Sequence, residues 1–106
     1  MQMTTSVYKA TQAFPASEIY GLTSQLRRAA VSVASNIAEG RGRLSELDFR
    51  RFLGIAQGSN YEVQTQLLVA KELKFGKLEE IQITQNLNIE VGKMLSSLIA
   101  TIPARS

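Results

Sequence analysis

From Phe49 to Leu73 the chain carries one stripe of side chains at alternating three- and four-residue spacing: Phe49, Phe52, Ala56, Ser59, Val63, Gln66, Ala70 and Leu73. No proline interrupts it, the only two in the chain being Pro15 and Pro103. A 3.6-residue period held over about 25 residues, or roughly 37 Å, dictates a single long α-helix. A rod of that length buries its apolar stripe only against other rods, so the feature commits the chain to an all-α bundle.

The flanking segments supply the partners. Apolar positions at Ile19, Leu22, Leu26, Ala29, Val33 and Ile37 predict a helix over 17–39, with Ser17 as its N-cap and Gly40-Arg41-Gly42 as the turn that ends it. Ser45-Glu46-Leu47-Asp48 resembles a capping box and opens the long helix at 45–74. Leu78, Ile81, Leu87, Val91, Met94, Leu95, Leu98 and Ile102 mark a further helix over 78–101, and a short one fits 4–13 before Phe14-Pro15. The short connections force consecutive helices to be antiparallel, which gives an up-down-up-down four-helix bundle in one domain spanning 1–106. Its weak point is the first helix, too short to line the groove at the end occupied by residues 40–44.

The chain has neither histidine nor cysteine. Disulfides, thiolate nucleophiles, imidazole bases and nearly all zinc, haem and iron–sulfur ligand sets are thereby excluded. The serines and tyrosines have no visible base to activate them, so the expectation is a protein that is not an enzyme and holds no cofactor. Glu39, Glu46, Asp48 and Glu62 could suggest a carboxylate metal site, but the di-iron pattern needs Glu-x-x-His, so no metal is expected. Glu39 and Glu62 fit better as partners of arginines or of Asn36, Ser59 and Gln66. Those three polar residues fall on core stripes, where they set helix register. No run approaches the ~20 apolar residues of a membrane span, and the N-terminus carries no signal-peptide pattern; a cytoplasmic protein is expected.

Net charge is +3, and the excess is confined to one stretch: Arg27, Arg28, Arg41, Arg43, Arg50 and Arg51 face only Glu39, Glu46 and Asp48. Lys71 continues the column of Arg50. Guanidinium groups fork onto phosphates, so these seven residues form the candidate nucleic-acid surface, with the contacts expected on the backbone rather than on bases. The alternative is a solvated surface whose arginines form ion pairs between subunits.

The long helix is also apolar where it should be polar. Its outermost column reads Gly54, Tyr61, Leu68 and Phe75, and the preceding helix carries Tyr20 and Val31 among small residues on its outer face. A monomer exposing both faces would show an apolar patch larger than soluble proteins tolerate. A homo-oligomer is therefore expected, with Tyr20, Val31, Tyr61, Leu68 and Phe75 at its interface.

The run from Leu22 to Gly40, which contains Arg27-Arg28-Ala29-Ala30 and ends in Asn36-Ile37-Ala38-Glu39-Gly40, is followed by Arg43 and by Phe52-Leu53-Gly54-Ile55-Ala56-Gln57-Gly58-Ser59. With Tyr8, Phe14-Pro15, Glu18 and Gly21 before it, and Glu62, Gln66-Leu67 and Ala70 after it, this pattern resembles the 23S ribosomal RNA intervening sequence proteins over about residues 7–78. They are related to the accessory variability determinant proteins of diversity-generating retroelements. The resemblance implies a four-helix bundle assembled as a homopentamer with a basic surface and no enzymatic activity. For the retroelement relatives it implies partnership with a reverse transcriptase and nucleic acid. The expected partners are thus further copies of the chain, RNA or DNA, or a nucleic-acid enzyme, and no membrane. The sequence departs from the family pattern in its shorter first helix.

Overall fold

A computed structural model describes residues 1–103; the last three residues of the expected domain lie outside the described residues. Four α-helices, α1 (Gln2–Thr11), α2 (Leu22–Arg41), α3 (Glu46–Glu72) and α4 (Leu78–Thr101), form a body of 47 × 22 × 18 Å. Cross-helix bonds give the directions. Thr4 and Arg27 tie α1 to α2 at Ala30 and Thr11, Ser32 meets Ser59 between α2 and α3, and Asn60 meets Asn88 between α3 and α4. Ser6 reaches Thr84 and Asn88 reaches Met3, which close α4 onto α1. Every neighbouring pair runs antiparallel, so the topology is up-down-up-down.

The helix ends show which local rules acted. Ser45 accepts a hydrogen bond from the Asp48 N–H at 3.0 Å, half of the expected capping box. Ser45→Ala should cost about 1 kcal/mol, measured as a shift in the urea midpoint at unchanged m-value. The N-cap expected at Ser17 does not form. Residues Ala16–Glu18 make a 3₁₀ turn and α2 starts only at Leu22, because the Glu18 side chain reaches forward to accept from the Leu22 N–H at 3.2 Å. Nor is Gly40 part of a turn, since α2 continues to Arg41 and is capped by Gly42 with an ordinary right-handed φ of −81°.

Two further departures occur near the other end. α3 stops at Glu72, and Lys74 takes a left-handed φ of 60°, so that the Phe75 N–H returns to the Ala70 carbonyl at 2.9 Å. That is a Schellman closure built on lysine, followed by Gly76 at φ 72°. It turns Phe75 back against Phe14, with ring centroids 5.9 Å apart. Phe75 is therefore half-buried against the core, not on the outer column where uninterrupted helix phase would place it.

The core includes Met3, Val7 and Ala10 of α1; Leu26, Ala30, Val33 and Ile37 of α2; Leu53, Ala56, Val63, Leu67 and Ala70 of α3; and Ile81 and Leu95 of α4. On α4, Leu78 and Met94 are exposed, while Thr84 and Asn88 take buried places between the apolar residues. Since α1 begins level with Ala30 and Asn88, only the half of the body nearest α1 has four helices. Beyond it α2, α3 and α4 continue alone, and Phe49, Leu98, Ile99 and Ile102 remain half-buried there. Among the described residues no helix is long and apolar enough to cross a membrane.

Candidate nucleic-acid interface

The seven basic candidates do not form one patch. Arg27 and Arg28 lie in the first turns of α2, and Arg41 lies thirteen residues on, about 20 Å along the axis. Lys71 is separated from Arg50 by most of α3, about 30 Å. What the fold does bring together is Arg41, Arg43, Arg50 and Arg51, around the α2–α3 connection at the three-helix end.

Within each group the arginines divide by chemistry. The Arg27 Nε donates to Thr11 Oγ1 at 2.8 Å, and its guanidinium lies 4.7 Å from the centre of the Tyr8 ring. Arg43 donates to Glu39 at 2.9 Å, and Arg51 stands 3.8 Å from Asp48. Both also stack on Phe52, at 4.7 and 4.5 Å from the ring centroid. Cation–π contacts of this kind fix the guanidinium plane as well as its charge. These three side chains are committed within the protomer. Arg28, Arg41 and Arg50 have no ion pair among the described residues. Arg41 and Arg43 border a cleft of about 320 Å³ with Leu44, Glu46, Phe49 and Leu98.

The polar core candidates are placed as follows. Asn36 donates to the Ser32 carbonyl at 2.8 Å, Ser59 is buried and shares a 2.8 Å hydrogen bond with Ser32, and Glu39 pairs with Arg43. The buried Gln66 Oε1 has no hydrogen-bond partner among the described residues. Glu62 is exposed and makes no ion pair among the described residues, so the expected arginine or amide partner is not there. Among those residues no group of three carboxylates converges on a point that could hold a metal ion. Of the interface candidates, Tyr20, Val31, Tyr61 and Leu68 are exposed, and Phe75 is not.

A buried polar pair, absent from the expected core stripes, joins α3 to α4. The Asn88 Nδ2 donates to the Asn60 side-chain oxygen at 2.9 Å and to its backbone carbonyl at 3.1 Å, while the Asn60 Nδ2 donates to the Asn88 carbonyl at 3.1 Å. Gly92 makes room for it: a Cβ there would stand 3.3 Å from the Asn60 amide nitrogen. The spacing signal existed, because Asn60 lies midway between Leu53 and Leu67, and Asn88 between Thr84 and Val91.

Asn36-Ile37-Ala38-Glu39-Gly40 thus acquires a geometry. Asn36 bonds back along α2, Ile37 enters the core, Glu39 holds Arg43, and Gly40 lets α2 touch Phe49 and Phe52 of α3. Compared with protein families, the chain matches the one described as 23S rRNA-intervening sequence protein, over residues 1–97. It belongs to that family. Among solved structures, a protein with unknown function from the S23 ribosomal protein family of Bacteroides thetaiotaomicron is similar, with a TM-score of 0.74 at 22% identity, covering 92% of this chain and 97% of that one. At that identity the likeness speaks for the fold. No curated protein matches the chain.

Proposed function

We propose that this member of the family is a non-catalytic homo-oligomeric scaffold that holds RNA or DNA by its phosphates, through Arg41 and Arg50 at the three-helix end and Arg28 on the flank. The observation that carries this reading is the division of the six arginines between residues 27 and 51: three are committed to partners inside the protomer, and three have no acidic partner among the described residues. A few phosphate contacts per subunit are weak, and repetition around an assembly raises them by effective concentration. The family resemblance implies five copies. Exposed Tyr20, Val31, Tyr61 and Leu68 support association, because their solvation as a monomer is unfavourable.

The test is electrophoretic mobility with ribosomal RNA fragments across a salt series. Replacing Arg28, Arg41 and Arg50 together by glutamate takes the net charge from +3 to −3. The expected result is affinity reduced by at least ~100-fold and a shallower dependence on log salt, since each lost phosphate contact removes roughly 0.7–0.9 from the slope. Affinity that survives the triple reversal overturns the proposal. A protein–protein adaptor, such as an accessory subunit of a nucleic-acid enzyme, is the second reading. It is favoured by Leu44, wholly exposed beside Arg43, and it predicts a partner that stays bound after nuclease treatment.

A further inference from the structure

Where α2 starts, it meets α1 and the residues just after the Ala16–Glu18 turn, and between them lies a cleft of about 390 Å³. Thr23 and Arg27, and beside them Ser24 and Arg28, stand one above the other on α2 and line one side of it. Tyr8 of α1 and Ile19 line the other. Of the residues expected between copies of the chain, only Val31 borders this cleft.

The positive charge here is already oriented. The Arg27 Nε is tied to Thr11 Oγ1 at 2.8 Å, and its plane lies 4.7 Å from the centre of the Tyr8 ring. Those contacts take up the inner nitrogen and one face of the guanidinium; its remaining donors make no hydrogen bond or ion pair among the described residues. A fork held in place loses little freedom when it accepts a ligand. Arg28 is exposed and has no ion pair among the described residues. Glu18, the carboxylate closest in sequence, is occupied with the Leu22 N–H at 3.2 Å and does not line the cleft.

Thr23 gives an independent sign of a ligand. Three threonines are buried among the described residues, and two of them bond a carbonyl one turn back, Thr11 to Val7 at 2.8 Å and Thr84 to Glu80 at 2.7 Å. Thr23 has no helical turn behind it, because α2 starts at Leu22. It is 2% exposed, and its hydroxyl enters no hydrogen bond among the described residues. A hydroxyl so placed is unfavourable to the fold unless something from outside binds it.

We infer that this cleft is a site for a terminal phosphate monoester, the end of a nucleic-acid strand, seated on Arg27 and Arg28 with the Thr23 and Ser24 hydroxyls donating to its oxygens. This rests on the nucleic-acid reading above and adds to it a place and a kind of phosphate. Charge selects the monoester: it carries about −1.5 to −2 at pH 7 and an internal phosphodiester about −1, while the cleft offers two guanidinium groups at the start of a helix, where anions are favoured. Shape points the same way, since walls from α1, Ile19 and α2 suit a strand that ends there better than one that runs through.

The full chain is titrated by fluorescence anisotropy with short single-stranded RNAs that differ only in bearing phosphate at the 5′ end, at the 3′ end or at neither. One phosphorylated form should bind at least tenfold tighter than the unphosphorylated strand. Thr23→Val combined with Ser24→Ala should bring that ratio close to one, with melting at or above that of the parent, because a methyl group replaces an unpaired hydroxyl. Arg28→Lys should lower the ratio at least threefold, since lysine keeps the charge and loses the fork. Adenosine monophosphate should displace the phosphorylated strand only at about 100-fold excess, because the strand has further phosphates to hold it; displacement at equal concentration would give the cleft to a free nucleotide and overturn the strand end. Equal affinity for the three strands, or a preference that persists without the two hydroxyls, sinks this site and leaves the phosphate-binding scaffold standing. If none of the strands binds, both fail together.

Discussion

Asn88→Ala is expected to lower the unfolding free energy by about 2–4 kcal/mol, against a total of roughly 5–15 kcal/mol for a domain of this kind. The Asn88 side-chain nitrogen donates to two acceptors on Asn60, and the Asn88 backbone carbonyl receives the Asn60 Nδ2. Both side chains are buried, so truncation leaves the Asn60 Oδ1 without a donor in a site that water reaches poorly. A net hydrogen bond is worth about 1 kcal/mol, and an orphaned buried acceptor costs about 1–3 kcal/mol more. In a thermal melt followed by circular dichroism this corresponds to a fall of about 10–20 °C. Asn60→Ala should cost a similar amount, and the double variant clearly less than the sum, because the second truncation removes the group that the first left unpaired. A loss below ~1 kcal/mol for Asn88→Ala would mean that the pair is dispensable to the fold.

This pair sits where the architecture changes. Met3, the first buried residue of α1, touches Asn88, and the Ser32–Ser59 bond lies at the same level on the opposite side of the core. Polar groups that must meet particular partners penalise any sliding of one helix along another, whereas leucine and alanine layers tolerate it. The polar layer therefore fixes register at the point where a four-helix body becomes a three-helix one. That is where a short α1 would otherwise be free to slip towards the open corner.

The fold was legible because its determinants are periodic. A stripe held for seven turns, a serine three residues before an acidic side chain and two widely separated prolines leave few alternatives, and α4 occupies 78–101 as the spacing predicts. What the sequence concealed depended on exceptions to periodicity. Phe75 sits in phase with Tyr61 and Leu68, but the helix has already ended, and a lysine adopts the left-handed conformation usually taken by glycine. On α4 the spacing points to Leu87, while Asn88 has the buried position, because a buried amide whose nitrogen finds acceptors is as much a core residue as leucine. Six arginines in 25 residues look like one electropositive surface. Only the fold separates those that stack on Tyr8 and Phe52 from those that do not.

Gly40→Val should destabilise the protein by about 2–3 kcal/mol, although replacing a helical glycine ordinarily gains stability. Gly40 lies within α2, and a Cβ built there falls 2.9 Å from Phe49 Cδ1 and 2.9 Å from the Phe52 Cβ. The second of these atoms cannot swing away, since it is fixed to the α3 backbone, so relief requires the two helices to part. Valine adds two methyl groups at the same point and loses side-chain freedom in the helix, hence a penalty well above that of alanine. Urea denaturation measures it; a variant as stable as the parent would show that α2 and α3 are free to separate at this end. The displacement has a second consequence, because Phe52 carries both the Arg43 and the Arg51 guanidinium groups on its ring. Moving that ring loosens two arginines at once, while Arg41 and Arg50, which lean on neither face of it, keep their charge in place. Nucleic-acid affinity should consequently fall far less than stability does. The two readouts together separate the glycine's part in packing from the arginines' part in binding.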